Sequence, residues 1–410
     1  MTIWKWLNNK RLRDYPRLIL IGSGSVLLVN LLLHHGWIGG LTGILMWGDF
    51  LVYYAAGIIY KTNIAQLYNP AVQEFTQVNL IAPTIPPGVT LYSYPPNAAL
   101  FHTILSYISL PVSLIIWCLI SIYCVVLAAK LMRHHLIPEW LAQKGLSSFQ
   151  LSIIIFSCFA FIEGFAAGQM HSITLLLMVG VLVATMKEKW FLAGLLAAGL
   201  TYKPQFVIGF LIVWLVWKKF YAILTFILFS LIWHGTVLIT KGLNPYLDYI
   251  NFVGNMVYLP YIKEGFPISI LSTPYTLIAS FLPINFASLW NQIYYAIVFI
   301  IVVLFCLLTY KVRKLPMANQ NIVLSLVMLF PLLITPYALL HDLLLLFPVI
   351  ILLTKNQQGD RRLLIIALGA YIAMLLLPLL GFTIKIALTG LIPTAVFIYI
   401  VQQSVKLLRT

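Results

Sequence analysis

Residues 187–219 read KEKWFLAGLLAAGLTYKPQFVIGFLIVWLVWKK. The two apolar runs in this stretch, 190–200 and 205–217, are each shorter than the roughly 17–25 residues a helix needs to cross a bilayer. Lys187 and Lys189 precede the pair, and Lys218 and Lys219 follow it. Basic residues beside membrane segments collect on the cytoplasmic side, so both flanks belong to the same side. The pair therefore reads as two half-length helices that enter the membrane and return, with Thr201, Tyr202, Lys203 and Pro204 at the turn. Freed N–H and C=O groups find no partner in hydrocarbon, so protein or a water-filled cavity has to receive such a break.

Working outward, the whole chain has the composition of a membrane protein. Of 410 residues, 62 % are hydrophobic and 9 % charged, against roughly 45–50 % and about 25 % in soluble domains. There are 25 Lys and Arg against 10 Asp and Glu, a net charge of +15. These basic residues sit in short clusters between apolar runs, which is the signature of topology and not of a nucleic-acid surface. A soluble enzyme, a disordered chain and a disulfide scaffold are excluded, and no nucleic-acid partner is expected. Cys118, Cys124, Cys158 and Cys306 lie in apolar stretches without metal spacing and read as small core residues. Lys5, Lys10, Arg11, Arg13 and Arg17 precede the first apolar run, and no small-x-small cleavage site ends it. That run reads as an uncleaved first helix with a cytoplasmic N-terminus.

Apolar runs fall at 18–33, 97–110, 112–131, 151–166, 173–186, 190–200, 205–217, 221–240, 290–310, 322–334, 339–353, 363–380 and 384–401. Basic clusters at Lys311, Arg313 and Lys314, at Lys355, Arg361 and Arg362, and at Lys406 and Arg409 close the C-terminal half on one side. Pro336, Tyr337, His341 and Asp342 then lie on the outer side. The N-terminal half closes only if one run between Asn97 and Ala166 fails to cross. The expectation is an all-α polytopic membrane protein of about 12 helices, one transmembrane domain over residues 1–410. Two connections, 34–96 and 241–289, are long enough to be functional and are expected as extracytoplasmic loops packed on the membrane surface. The first contains Trp47, Gly48, Asp49 and Phe50, an amphipathic stretch at 51–68, and Tyr92, Ser93, Tyr94, Pro95 and Pro96.

An ionisable residue at membrane depth is costly, and is a functional candidate by default. Asp49 lies between aromatic residues about a turn beyond an outer helix end. It can serve as a general base for an incoming hydroxyl or as the N-cap of a helix starting at Phe50. Lys203 can hold a phosphate as a point charge or snorkel to the interface. Gly168 and Gln169, followed by His171, open another helix on the outer side; the amide can bind sugar hydroxyls or cap backbone groups. His341 and Asp342 can orient a phosphate or hydroxyl, or act as an interfacial His and a capping Asp. Glu163 can face a cavity or sit in water near a helix end. His34 with His35, and His134 with His135, are adjacent residues that do not face one way on a helix, so no metal site is read from them. No zinc, P-loop or dinucleotide motif is present.

The order of these segments resembles the GT-C membrane glycosyltransferases, specifically glycosyltransferase family 87, and is similar to polyprenol-phosphate-mannose-dependent α-mannosyltransferases. The segments are Gly48, Asp49 and Phe50 with Tyr53 and Tyr54; Leu67 and Tyr68; Tyr94, Pro95 and Pro96; Gly168 and Gln169; Gly194, Gly199 and Leu200 with Tyr202, Lys203, Pro204 and Gln205; and Thr335, Pro336 and Tyr337 with His341 and Asp342. Met170, His171 and Ser172 replace a more usual Val-Asn. The resemblance implies a GT-C fold with short broken helices, juxtamembrane helices and an active site on the extracytoplasmic face. It implies a polyprenyl-phosphate sugar donor, with mannose the expected sugar, and a glycolipid or glycan acceptor. It makes Asp49 the catalytic base and places Lys203, His341 and Asp342 at the donor phosphate, with Gln169 and Tyr94 beside the donor. A displacement by a hydroxyl deprotonated at Asp49 inverts the anomeric centre, and a lysine at a monophosphate leaving group demands neither metal nor other cofactor.

A transporter or flippase is the alternative, since broken helices and buried charges also suit transport. The polar candidates cluster towards one face, whereas a transport path needs access from both. The absence of targeting signals and the compact loops point to a bacterial plasma membrane, with both termini cytoplasmic.

Overall fold

The computed structural model of the chain describes residues 9–33, 47–84, 88–142, 145–256, 271–315, 317–335, 338–356 and 361–407. His34, His35, Pro336 and Tyr337, all singled out from sequence, lie outside the described residues. Among the described residues the fold is helical, with one antiparallel bridge between Leu271 and Leu339.

Helix α1 (Asn9–Leu33) is followed by two helices of the first long connection, α2 (Gly48–Asn63) and α3 (Pro70–Ile81), and by α4 (Pro96–Leu105), which begins where that connection ends. Next come α5 (Leu110–His135), the pair α6 (Ser148–Phe156) and α7 (Phe159–Ala167), and α8 (His171–Met186). The halves expected at 190–217 are α9 (Trp190–Ala198) and α10 (Gln205–Val216), joined by a 3-10 turn at Gly199–Tyr202. After α11 (Phe220–Lys241), the second long connection carries α12 (Asn244–Met256) and α13 (Pro274–Phe281). Helices α14 (Ala287–Val312) and α15 (Met317–Ile334) lead to a 3-10 segment at Leu340–Leu345 that runs into α16 (Leu346–Asn356). Finally, α17 (Arg361–Ile384) and α18 (Leu391–Leu407) end the described chain.

Among the described residues, four stretches are long and apolar enough to cross a membrane: Leu110–His135, Phe220–Lys241, Ser288–Val312 and Leu388–Leu407. The α6–α7 pair makes a fifth if a break bent by 67° is one span. Helix α8, the two halves α9 and α10, and the apolar parts of α15 and α17 are shorter. Length and composition thus single out four or five spans, and the expected count of about 12 is reached only by including broken and short helices. The outward faces are apolar. Helix α5 exposes Val112, Ile115, Leu119, Ile122 and Val126 at helical spacing, and α11 exposes Leu224, Ile227, Leu228, Leu231 and Ile232. In water such stripes would face a core; here they face outward, as in a bundle solvated by lipid.

Among the described residues a small core of Leu271, Tyr275, Ala279, Trp290 and Ala387 stands apart from two larger ones. The larger of these two is built from the C-terminal half of α5 and from α6, with α8, α9, α10, α15, α16 and α18. The smaller of the two gathers α2, α4, Tyr68, Tyr92 and Tyr94 around Trp117 of α5. The stretch read as amphipathic at 51–68 lies in this second core, and Phe50 through Gly57 are buried without interruption. It is therefore an internal helix rather than one lying on a surface. Its apolar residues are spread around the whole helix, so α3, α4 and α5 can cover every face. Helix α2 approaches α4 closely because position 57 is glycine: a Cβ there would stand 2.6 Å from the His102 carbonyl oxygen. The seam between the cores, where α2, the end of α7, the α9–α10 turn and the 340–345 segment meet, is where polar side chains collect.

Candidate active site

Asp49 reaches the seam from the first turn of α2. The helix begins two residues earlier than the capping reading requires. The cap position is Trp47, in the left-handed region at φ 52°, and it makes no side-chain cap. The Trp47 amide instead donates to the Ala166 carbonyl at 2.6 Å, which ties the start of α2 to the end of α7. Asp49 is thus free of a capping role, although the N-terminal dipole of α2 favours its negative charge.

Its partner is Gln169, whose Nε2 donates to Asp49 Oδ2 at 2.7 Å. The other end of that amide is also held. Tyr53, one turn beyond Asp49 on the same face of α2, donates to Gln169 Oε1 at 2.7 Å, and Tyr94 donates at 3.2 Å. The two phenols lie 2.9 Å from each other. Because the carboxylate only accepts and both phenols donate, the amide has one orientation that satisfies all of them. Gln169 is therefore neither a backbone cap nor a free amide. Gly168 makes the placement possible. It ends α7 in the left-handed region at φ 77°, and a Cβ there would lie 2.6 Å from Phe50 Cβ. Its carbonyl accepts from Trp117 Nε1 at 2.8 Å.

Across the cleft stands Lys203, at the end of the 3-10 turn between the half-helices. Its amide donates to Leu200 O at 2.9 Å, while Pro204 begins the next turn. The lysine does not snorkel outward. It is 13 % exposed, and its Nζ lies 3.6 Å from Asp342 Oδ1 and 5.6 Å from the centre of the Tyr94 ring. Asp342 performs the capping role weighed for it and also pairs with Lys203. Oδ2 accepts the Leu339 amide at 3.1 Å, capping the 3-10 segment, and Oδ1 faces Lys203. His341 is buried behind Asp342 and does not line the cleft. Its Nδ1 lies 3.0 Å from Glu163 Oε2 and its Nε2 4.0 Å from Asp342 Oδ1. Glu163, left open between cavity and solvent, is thus the partner of His341.

Asp49, Tyr94, Gln169, Lys203 and Asp342 line one cleft, together with Tyr53, Tyr202 and Tyr249. Burial holds the Asp49 carboxyl up at about 6; His341, the Gln169 hydrogen bond and Lys203 pull it down, and Glu163 pushes it up. A carboxylate tuned there is ionised at neutral pH and still basic enough to take a proton. The arrangement offers a base on one wall and a cation on the other, with phenols between them. Sequence reasoning assigned no role to Tyr53, although its i+4 spacing from Asp49 was a usable signal. Tyr249 comes from α12 and has no local signal at all.

The profile of glycosyltransferase family 87 matches residues 92–336, more than half of the chain. The matched span contains Tyr94, Gln169 and Lys203, with Asp49 before it and His341 and Asp342 just after it. No curated protein matches the chain.

Proposed function

The chain belongs to glycosyltransferase family 87, which makes it a glycosyltransferase, and from that premise we propose that it moves a sugar from a polyprenyl-phosphate donor to a hydroxyl of a glycolipid or glycan acceptor. Mannose is the proposed sugar. The observation that carries this reading is the cleft itself, with Asp49 opposite Lys203 at a break in the membrane helices. The polyprenyl chain runs between apolar helices while its phosphate meets Lys203. Asp49 Oδ1 or Oδ2 takes the proton of the acceptor hydroxyl as its oxygen attacks the anomeric carbon. The bond from that carbon to the phosphate oxygen breaks, and the electron pair leaves with the phosphate. Lys203 neutralises the charge that develops there, at a site where little water competes. One displacement inverts the anomeric configuration. Gln169 orients the Asp49 carboxylate, and Tyr53 and Tyr94 orient Gln169. Asp342 and His341, with Glu163 behind, set the charge around Lys203.

We further propose that the cleft opens on the extracytoplasmic side of a bacterial plasma membrane. Helix α4 has ten residues, about 15 Å of rise against a hydrocarbon core of about 30 Å. If α4 stays at the outer face, the remaining segments from α1 to α18, with α6 and α7 as one, the 340–356 segment as one and α2, α3, α12 and α13 as outer elements, make about 12 passages. Arg133, Lys187, Lys218, Lys314, Lys355 and Lys406 then share one side. Donor chemistry follows from that sidedness. A nucleotide sugar is too highly charged to leave the compartment where it is made, whereas a lipid monophosphate presents its sugar within the membrane. The test is transfer of radiolabelled sugar from polyprenyl-phosphate mannose to an extracted glycolipid pool by the purified full-length protein. Transfer supports the donor class. Failure with that donor, but transfer from a nucleotide sugar, overturns it.

A further inference from the structure

At the ends of α9 and α10 remote from Lys203, the structure holds a second polar cavity. The turn at 217–219, after α10, and the turn at 313–315, after α14, enclose about 510 Å³, within the roughly 300–1,000 Å³ of ligand sites. Lys218, Lys219, Arg313 and Lys314 line it, with Glu188 as the one carboxylate and Trp190 at its wall. Among the described residues, none of these four cations has a carboxylate within 4.0 Å. Two of them are nonetheless held in place. Lys219 Nζ sits 4.7 Å above the Trp190 ring, and the Arg313 guanidinium lies 3.8 Å from the centre of the Tyr310 ring. The walls are fixed as well: Trp217 Nε1 donates to Thr309 O at 3.3 Å, and Gln320 Nε2 donates to Leu315 O at 3.0 Å.

Basic residues at helix ends are expected from topology alone. Topology asks only for sidedness, however; it does not ask for four like charges around one cavity. Such charges repel unless an anion lies between them. The rim adds a second condition. Leu215, Phe220, Tyr221, Leu307 and Tyr310, in the adjoining turns of α10, α11 and α14, are exposed. Inorganic phosphate would satisfy the cations and leave the rim bare. A phosphoryl group carrying hydrocarbon chains satisfies both.

We propose that this cavity binds the phosphoryl headgroup of an anionic phospholipid, with its acyl chains along the exposed rim of α10, α11 and α14. The lipid neutralises the two basic turns and joins the α9–α11 unit to α14. Binding here is independent of the glycosyl-transfer reading, because none of these residues touches the cleft at Lys203.

The test uses the full-length protein in detergent, titrated with phosphatidylglycerol, phosphatidylcholine or inorganic phosphate, and read by native mass spectrometry and by thermal unfolding. Phosphatidylglycerol is expected to be retained and to raise the unfolding temperature, while phosphatidylcholine is not. At about fivefold in affinity per membrane-surface cation, the Lys219→Gln/Arg313→Gln double variant binds phosphatidylglycerol about 30-fold more weakly. A Lys10→Gln/Lys406→Gln variant, with the same loss of charge outside the cavity, keeps wild-type binding. Undiminished binding by the cavity variant, or equal loss in the control, overturns the site. A shift with inorganic phosphate equal to that with the lipid overturns the lipid and leaves a phosphate ion as the occupant.

Discussion

A carboxyl held at about 6 makes Asp49 the most testable residue in the molecule. As a general base it works only when ionised, so kcat/KM should rise through a limb centred near pH 6 and level off above it. Asp49→Asn should lower transfer by about 10²- to 10⁴-fold, the usual worth of a positioned base. The same burial sets a stability prediction of opposite sign. The folded state holds the Asp49 proton more tightly than the unfolded chain, whose carboxyl titrates near its ordinary value of 3.8. The stability this contributes is complete below that value and is lost as pH rises through about 6. The inactive Asp49→Asn variant should therefore unfold at a higher temperature than the wild type at pH 7.5, with the gap closing towards pH 4. A variant that is both inactive and less stable at pH 7.5 would mean that the carboxylate is structural. Gln169→Leu removes a hydrogen bond that favours the ionised form, so its activity limb should move above that of the wild type. A limb that stays in place would mean that Gln169 does not act through Asp49. Asp49, Gln169 and Lys203 stood out in the sequence because each is a polar residue that topology does not explain. The bonds among them did not stand out. No rule of spacing says that the amide of residue 169 turns its nitrogen to residue 49, since that depends on the phenols of Tyr53, from the helix of Asp49, and of Tyr94, from another segment.

Among the elements, the α9–α10 pair was the most legible, because lysines on both flanks and runs too short to cross leave one solution. The start of α2 was less legible. Asp precedes an apolar run there and reads as a cap, whereas the chain enters the helix through Trp47 with backbone conformation and the bond to Ala166 in place of a side-chain cap. The end of α7 shows how strongly an element can control the site. Gly168→Ala requires a left-handed alanine, which costs about 1–3 kcal/mol, and places a methyl carbon against Phe50. Activity should fall even though residue 168 touches no substrate, and the loss should appear together with reduced thermal stability. The half-helix turn makes a different prediction. Lys203→Gln leaves Asp342, 7 % exposed, without its counter-charge, and breaking one partner of a buried pair costs about 3–5 kcal/mol. Adding Asp342→Asn removes that penalty while an amide oxygen can still cap Leu339. The double variant should regain stability but not transfer. Recovery of both would show that Lys203 serves the fold and not the leaving phosphate.

For the molecule as a whole, the sequence made the bundle obvious and the number of passages hard to fix. A run of apolar residues looks the same whether its helix spans, bends by 67° as α6 and α7 do, or stops after ten residues as α4 does. Only in three dimensions does α4 pack against α2 in the smaller core, the placement on which the proposed closure of the N-terminal half rests. Sidedness can therefore be tested directly. In a background with Cys118, Cys124, Cys158 and Cys306 replaced by serine or alanine, single cysteines are placed at exposed positions: Asn251→Cys and Lys385→Cys on the proposed outer side, Glu188→Cys and Lys406→Cys on the inner. A membrane-impermeant maleimide should label the first two in intact cells and the last two only after permeabilisation. All four carry weight together, because Lys385 lies between α17 and α18 and so reports the C-terminal half independently of Asn251. The reverse pattern would put Asp49 and Lys203 in the compartment where nucleotide sugars are available, and the case for a lipid-phosphate donor would lose its electrostatic ground. The expected pattern would leave a cleft with a base, a cation and an apolar approach from the membrane, on a side of the bilayer where only a lipid can deliver the sugar.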